Sequence, residues 1–313
     1  MKCVYHEDYA VPLSPGHPFP MPKYPLLRDR LLTEGLLSDA ETLEPEALDL
    51  ETLALAHTSE YLLKLATSNL NTGEQRRLGL PWSELLWRRS RLAAAGTLLA
   101  ARVALAEGMA GNLAGGTHHA FADHGEGFCV LNDVAVAILR LRAEGLIERA
   151  LVIDLDVHQG NGTAAIFSHD AAVFTFSMHG EKNYPAVKMR SSLDVGLADG
   201  TGDAEYLRAL AVHLPAVLTE SRADIVFYVA GVDVVAGDRY GKLSLSEAGL
   251  AARECGVITA VRDRGLPLAI VLGGGYAATR ERTADLHTHV FRAAATYESQ
   301  RGFMPRRAAP SNL

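Results

Sequence analysis

The sequence predicts an α/β protein of three layers, α/β/α, with a mainly parallel central sheet. Short runs rich in β-branched and aromatic residues alternate with longer segments of helical periodicity, which is the pattern of βαβ units. The chain has 313 residues, of which 48% are hydrophobic, and α/β folds of this length commonly form one domain with a large core. We therefore expect a single domain over residues 1–313.

Four strands and two of the helices between them follow directly from this pattern. The helical segments are residues 203–222 and 246–265. The predicted strands are LVIDLDV, AAVFTFS, DIVFYVA and LPLAIVL, at residues 151–157, 171–177, 224–230 and 266–272.

A proline-rich segment precedes these elements. Residues 11–25, VPLSPGHPFPMPKYP, hold six of the thirteen prolines. Because proline fixes φ and cannot donate a backbone hydrogen bond, we expect a stiff loop between the first strand and a helix that begins near Pro25. A long irregular loop of this kind is also a candidate for lining a pocket.

Composition and charge limit the possible partners. The net charge of −7 argues against nucleic acid as a general partner, and the segment WRRSR at 87–91 is expected to be a solvated helix face. Three widely separated cysteines, without the spacing of a disulfide or zinc-finger framework, favour a reducing cytoplasm. The N-terminus mixes charges and the longest apolar run contains Arg102, so we predict neither a secretory signal nor a membrane segment.

Two carboxylates and an imidazole lie along one side of the strand predicted at residues 151–157. Asp154, Asp156 and His158 alternate with apolar residues. Because burying an isolated charge is costly, such groups are usually paired or bind a metal ion. The alternative is a capped strand end, since Asp and His often lie where a strand opens into a loop and GNG marks a turn.

Polar residues also follow the other predicted strands, at the sheet edge where ligands bind in parallel α/β folds. The segment GNLAGGTHHAFADHGEGFCVLND, at 111–133, adds two adjacent histidines between glycine-rich turns. The residues that we expect to converge at this edge are His118, His119, His158, Asn161, His179, Tyr184, Asp233 and Tyr276.

Asp156, His158 and Asp233 make a plausible set of metal ligands. One imidazole and two carboxylates leave coordination positions open for water and substrate, as catalytic sites require. This donor set suits Zn²⁺, although Fe²⁺ or Co²⁺ could also bind. Asp154 could instead accept a hydrogen bond from a histidine and fix its tautomer.

His118 and His119 are candidates for the base and the acid that amide hydrolysis with an activated water needs. The alternative for an isolated histidine pair in a loop is a surface position. Tyr276 follows three glycines, which would let a tight turn aim the phenol at an oxyanion. A buried core tyrosine is the alternative there.

Four motifs, in this order, resemble those of the zinc-dependent histone deacetylases and their bacterial relatives, which have the arginase/deacetylase fold. They are GGTHHAFADHGEGFCVLND, VIDLDVHQGNGT, AGVDVVAGDRYGKLSLS and LGGGY. The forms HQGNG and GDRYGKLSLS, with GHPFP near the start, are most similar to the class IV branch. The resemblance covers nearly the whole chain.

The resemblance implies roles for most of the candidate residues. It implies that His118 and His119 form the catalytic histidine pair and that Tyr276 donates a hydrogen bond to the oxyanion. It also implies a zinc ion bound by Asp156, His158 and Asp233.

The resemblance further implies a substrate tunnel and a second ion. Gly127, Phe128 and Tyr184 would line an acyl-lysine tunnel. Family members also bind a structural potassium ion beside the zinc, which here would involve Ser177 and Asp154.

Two positions depart from the family pattern. Some relatives have a second aspartate where this sequence has Asn161, so only His118 would have a carboxylate partner, in Asp154. An amide can orient His119 without stabilising its charged form, which suits a general base that starts neutral. Lys23 stands where relatives often carry an arginine near the pocket floor, and we expect it to be solvated.

The expected function is therefore a zinc-dependent amidohydrolase that removes acetyl or longer acyl groups from lysine side chains of proteins or peptides. An acetylpolyamine amidohydrolase acting on small acylated amines would use the same residues. An arginase-like dimetal enzyme is disfavoured because Gln159, Asn161 and Val235 stand where bridging carboxylates would be needed. A catalytically inactive acyl-lysine-binding module is an alternative of another class, but it would not need the histidine pair or Tyr276.

Overall fold

The computed structural model describes residues 1–302, so residues 303–313 of the predicted domain lie outside the described residues. Its centre is one eight-stranded sheet in which every paired strand is parallel. The strands are β1 (Cys3–Val4), β2 (Thr42–Leu43), β3 (Met109–Asn112), β4 (Ala150–Asp154), β5 (Val173–Gly180), β6 (Leu193–Leu197), β7 (Ile225–Val229) and β8 (Leu268–Val271). Their order across the sheet is β2-β1-β3-β8-β7-β4-β5-β6.

Helices flank the sheet, as the predicted α/β/α class requires. They are α1 (Lys23–Thr33), α2 (Leu50–Leu53), α3 (Ser59–Ala66), α4 (Thr72–Leu78), α5 (Glu84–Glu107), α6 (Asp133–Ala143), α7 (Asn161–Ile166), α8 (Asp203–Glu220), α9 (Glu247–Arg262) and α10 (Arg280–Gly302). Helix α5 packs on α6, β3 and β8, whereas α9 packs on α8, α10 and β8. The two helices predicted from periodicity are confirmed as α8 and α9, and the predicted fold class is confirmed.

The strands at the middle of the sheet form the centre of the core. Every residue of β4, β7 and β8 is buried, whereas β6 at the edge of the sheet is mostly exposed or half-buried. Strands covered on both faces carry continuous apolar runs rather than alternating ones. The apolar runs at 224–230 and 266–272 are therefore explained by their central positions.

The strand predicted at residues 151–157 ends earlier than its apolar pattern suggests. Strand β4 ends at Asp154. The Leu155 amide still donates to the Val229 carbonyl at 3.1 Å, but the two amides after it bind side-chain carboxylates. The Asp156 amide donates to Asp154 Oδ1 at 3.1 Å, and the Val157 amide donates to Asp233 Oδ1 at 2.9 Å. Their amides no longer bond to a neighbouring strand, and the chain turns into the loop that follows. Strand β5, in contrast, runs to Gly180 and includes His179.

The expectation that residues 87–91 form a solvated helix face is wrong for Arg89, the middle residue of this segment. Arg89 is buried in α5, where its guanidinium donates to the carbonyl of Tyr9 at 2.9 Å and to the hydroxyl of Tyr24 at 2.7 Å. Local periodicity did not reveal these distant acceptors. Among the described helices, none is both long and apolar enough to cross a membrane.

Candidate active site

The predicted site residues converge because the strands that precede them are neighbours. Strands β8, β7, β4 and β5 lie side by side in the sheet, and all point the same way. The loops after their carboxyl ends therefore meet at one edge. The segment after β3, which carries the two histidines, reaches the same place, since His118 contacts Asp154 at the end of β4.

Asp156, His158 and Asp233 form a compact buried cluster. One potential ligand atom from each lies within 4.8 Å of the others. His158 Nδ1 is 2.9 Å from Asp156 Oδ1 and 3.3 Å from Asp233 Oδ2. The two aspartates are fully buried, and His158 is nearly so. Within residues 1–302 this is the one cluster of its kind.

This cluster favours a positive charge at its centre. Burial alone would lower the pKa of His158, but its hydrogen bond to Asp156 and the nearby carboxylate of Asp233 raise that pKa to about 10. Burial and the Asp156 carboxylate raise the pKa of Asp233 to about 7. Asp233 Oδ2 is buried without a hydrogen-bond partner among the described residues. One nitrogen and two carboxylate donors, one of them unpartnered, fit a divalent metal ion.

The glycine turn after β8 supports this cluster directly. The Gly274 amide donates to Asp156 Oδ2 at 2.6 Å. A Cβ atom at Gly274 would overlap Asp233 Oδ2 and would lie 2.7 Å from Asp156 Oδ2. The turn must therefore be glycine so that its backbone can approach both carboxylates. The sequence pattern indicated these glycines only as a means of orienting Tyr276 and did not reveal this contact.

The two adjacent histidines have different partners. His118 Nδ1 lies 2.6 Å from Asp154 Oδ2, and His119 Nδ1 lies 2.7 Å from Asn161 Oδ1. Their ring centroids are 4.1 Å apart, and the His119 ring is 5.8 Å from that of His158. The sequence therefore paired both histidines with the correct residues.

Different partners give these two histidines different charges. Burial would lower the pKa of His118, but the carboxylates of Asp154 and Asp156 raise it to about 9. For His119, burial and the neighbouring His118 and His158 hold the pKa well below its ordinary value. At neutral pH the pair thus contains one cationic and one neutral imidazole.

Glu126 fixes the orientation of Asn161 and is a residue that sequence analysis missed. Asn161 Nδ2 donates to Glu126 Oε1 at 2.6 Å, so the amide oxygen faces His119. His119 must then donate from Nδ1, which leaves its Nε2 as a hydrogen-bond acceptor. The only signal in the sequence was a lone acid, in GEGF, inside a glycine-rich turn.

Tyr276 lines the same cavity as His119 and His158. Its backbone amide donates to Asp238 Oδ2 at 2.6 Å, which fixes the backbone position from which the side chain extends. Burial, with the nearby Asp156 and Asp233, holds the pKa of Tyr276 well above its ordinary value. The phenol therefore stays protonated and can donate a hydrogen bond.

A cavity of about 420 Å³ leads from the surface to these groups. Gly127, Phe128 and Tyr184 line it, as expected. Gly127 has a φ of +56°, and a Cβ atom there would lie 2.6 Å from His119 Cδ2, so a side chain would displace the histidine. Tyr184 is 42% exposed and lies at the open end.

The proline-rich loop lines a pocket beside the cavity, as predicted. Phe19 packs on Phe128 with ring centroids 5.4 Å apart and on Tyr276 at 6.4 Å. It also borders the small inner pocket that contains Asp156 and His158. The helix after the loop begins at Lys23, two residues before the predicted start.

The expectation that Lys23 is solvated is wrong. Its side chain is 1% exposed, and Nζ donates to the Gly273 carbonyl at 2.8 Å. Burial lowers the pKa of Lys23 to about 8. This contact spans 250 residues, so no local pattern could have revealed it.

Ser177 and Asp154 are register partners on β5 and β4. Both are buried, and Ser177 Oγ lies 2.9 Å from His179 Nδ1. A potassium site at these two residues stays a prediction.

Comparison with known proteins agrees with this geometry. Residues 17–294 match the histone deacetylase domain. The chain belongs to the histone deacetylase family. Membership of the histone deacetylase family supports a deacetylase function and acylated substrates, and the family is generally metal-dependent.

The similar proteins differ in how much of their own length the match with this chain spans. An uncharacterized protein of Picosynechococcus sp. is 46% identical over 93% of this chain and 97% of its own length. Histone deacetylase 2 of Arabidopsis thaliana is 37% identical over 58% of this chain, and the match spans 48% of that protein. The crystal structure of the HDA15 HD domain superposes with a TM-score of 0.79 at 24% identity, covering 97% of this chain and 93% of that chain. This last likeness shows the shared fold.

Proposed function

We propose that the protein is a metal-dependent lysine deacylase of one catalytic domain that hydrolyses the amide of an acylated lysine side chain. The observation that carries the proposal is the differently partnered histidine pair, with His118 on the Asp154 carboxylate and His119 on the Asn161 amide, beside the buried cluster of Asp156, His158 and Asp233. A simple binding module would need neither proton donor nor proton acceptor. We expect the enzyme to act in the cytoplasm on acylated proteins or peptides.

Asp156, His158 and Asp233 would hold the metal ion, with Zn²⁺ as the proposed ion and Fe²⁺ or Co²⁺ as alternatives. When bound, such an ion supplies a Lewis acid that polarises a carbonyl and lowers the pKa of water. Gly274 holds Asp156 in position through its backbone amide. A structural potassium ion at Asp154 and Ser177 is also part of the proposal.

His119 is the proposed general base. It is neutral because burial and the two neighbouring imidazoles lower its pKa. Asn161 fixes its Nδ1 as the donor, so Nε2 is available to take a proton from water. A base that was already protonated could not take this proton.

His118 is the proposed proton donor to the leaving amine. The Asp154 carboxylate, 2.6 Å from His118 Nδ1, raises the pKa of His118 against the effect of burial and favours its protonated form. Tyr276 would donate its phenolic hydrogen bond to the oxyanion of the tetrahedral intermediate. Gly127, Phe128 and Tyr184 would enclose the extended lysine side chain in the cavity.

A turnover panel tests the proposal. Acetyl-, medium- and long-chain acyl-lysine peptides are compared with acetylated polyamines, before and after chelation and with each metal added back. We expect peptide hydrolysis that is lost on chelation and restored by Zn²⁺. The class IV resemblance further leads us to expect that long acyl chains react at least as well as acetyl.

The outcomes separate the alternatives. Hydrolysis of polyamines in preference to every peptide would favour the acetylpolyamine amidohydrolase. Tight binding of acyl-lysine peptides without turnover under any metal would favour the inactive binding module and overturn the proposal.

A further inference from the structure

The open end of the site cavity has a charge opposite to that of the whole protein. The chain carries a net charge of −7. Among the residues described, however, no aspartate or glutamate lines the 420 Å³ cavity, whereas Arg76, Arg77, Lys182 and Lys242 do. We call these four residues the basic rim.

Two residues of the basic rim belong to the end of α4. The carbonyl of Arg77 accepts from the Gly127 amide at 3.2 Å, and that of Leu78 accepts from the Phe128 amide at 2.8 Å. These bonds tie the backbone of Arg77 and Leu78, and with it the end of α4, to the cavity wall. The side chains of Arg76 and Arg77 are exposed, so the charges are fixed beside the opening but remain free to meet a ligand.

The other two residues come from the loops that follow β5 and β7. Lys242 Nζ donates to the Lys182 carbonyl at 3.0 Å. Asn183 Nδ2 donates to the Tyr240 carbonyl at 2.6 Å. The two loops are thus joined, and both lysines are exposed.

The basic rim has no internal counter-charge. Within residues 1–302, none of its four side chains forms a salt bridge. Arg77 also borders a separate pocket that contains Glu60, Glu74 and Asp123, where Glu74 pairs with Lys64 at 3.0 Å, so these acids lie outside the cavity that the four cations line.

A second cavity extends the positive region. It has a volume of about 600 Å³ and meets the first at Tyr276. Arg239 and Arg280 line it, with Glu281 as its one acidic residue. Neither arginine forms a salt bridge within the described part of the chain, so the positive surface continues past the opening.

We propose that the protein selects acyl-lysines flanked by aspartate or glutamate in a peptide or protein. The inference rests on the proposed function and names its substrate class. An acylated lysine is uncharged and fills the cavity, so the flanking residues of its chain must lie across the basic rim. Carboxylates there would meet unpaired cations, whereas basic flanks or a polyamine would be repelled.

Matched peptides test this inference. Three acetyl-lysine peptides of equal length carry flanking Asp/Glu, Ser/Gly or Lys/Arg residues, and kcat/KM is measured at about 20 mM and about 300 mM ionic strength. We expect the acidic peptide to exceed the basic one by about 10-fold at low salt, with the ratio shrinking at high salt. Equal values at low salt, or a preference for the basic peptide, would overturn it.

Rim variants test whether these residues cause the preference. Arg76→Gln with Arg77→Gln should lower the acidic-to-basic ratio several-fold, and Arg76→Glu with Arg77→Glu should reverse it. The double variant Arg208→Gln with Arg264→Gln removes the same charge from exposed helical and loop positions away from the cavity, and should keep the ratio. An unchanged ratio in the rim variants would overturn the inference.

Two further measurements separate this inference from the proposed function. A blocked single acetyl-lysine has no flanks, so its hydrolysis reports the proposed function alone. If it is cleaved while the peptides show no acidic preference, only the inference fails. Anisotropy titrations with labelled peptides give the same ranking without turnover. A short single-stranded DNA that binds more tightly than the acidic peptide would assign the rim to nucleic acid instead.

Discussion

Glu126 holds the side-chain amide of Asn161 in one orientation. Since a carboxylate only accepts hydrogen bonds, Asn161 must donate its Nδ2 to Glu126 and present its oxygen to His119. Glu126 therefore determines which nitrogen of His119 carries the proton, although it is separated from His119 by two hydrogen bonds.

Glu126→Gln should weaken this control. A glutamine can donate to Asn161 and allow its amide to turn, so that the Nε2 of His119 would no longer be held as the acceptor. We expect kcat to fall by about 10-fold with bound metal unchanged. His124→Gln alters a different neighbour of Glu126, 3.7 Å away, and should leave kcat unaffected. An unaltered kcat in Glu126→Gln would contradict the assignment.

Tyr276→Phe removes one hydroxyl and keeps the ring. If the phenol stabilises the oxyanion, kcat should fall by about 10²- to 10³-fold while KM and metal content change little. Tyr240→Phe is the control, because its ring packs 5.0 Å from that of Tyr276. Measuring kcat, KM and bound metal on the same preparation distinguishes a core tyrosine, which would spare kcat, from a metal ligand, which would lose metal.

Asp156→Ala, His158→Ala and Asp233→Ala should each lose metal and activity together, since each removes one of three proposed ligands. Metal content is measured by elemental analysis after dialysis. Asp170→Ala, which removes an acid paired with Arg142 outside the site, is the control. Full metal occupancy in any of the three would refute that ligand.

Gly274→Ala should lower metal affinity by about 10- to 100-fold without changing any ligand. The added methyl would overlap Asp233 Oδ2 and press on Asp156. Gly256→Ala is the matched control, since a Cβ atom at that helical position meets nothing within 4 Å. Competition with a metal-binding dye measures the affinities, and equal values would mean that the turn does not support the ligands.

His57 should make the folded state sensitive to acid. It lies buried between the Phe121 carbonyl and the Asn132 amide, and burial lowers its pKa to about 4. Its unfolded pKa is about 6.5, so the unfolded chain binds the proton first as the pH falls. Stability is complete above pH ~6.5 and is lost towards pH ~4, by roughly 3 kcal/mol.

Urea unfolding at a series of pH values tests this. His57→Gln cannot titrate, so its free energy of unfolding should decline less than that of the wild type between these pH values. The difference between the two curves isolates His57 from other titrating groups. Parallel curves would show that His57 contributes nothing to acid sensitivity.

The sequence predicted the four central strands and the polar residues near their carboxyl ends because both are local signals, although β4 ends at Asp154 and β5 at Gly180 rather than at the predicted positions. Asp156, His158, Asp233 and Tyr276 were found in this way. The support around them was not, since Gly274 reaches Asp156 across 118 residues and Lys23 reaches Gly273 across 250. Such contacts leave no periodicity. Arg89 was misjudged for the same reason, because its acceptors lie far from it in the chain.

The contact of Gly274 with Asp156 also determines the order in which the parts of the site become available during synthesis. Asp156, His158 and Asp233 all leave the ribosome before Gly274, whose amide holds Asp156. The nascent chain therefore carries all three proposed ligands before it carries the backbone that fixes their arrangement. The arrangement of these three residues can therefore be completed only after β8 has joined the sheet and the turn that follows it has formed.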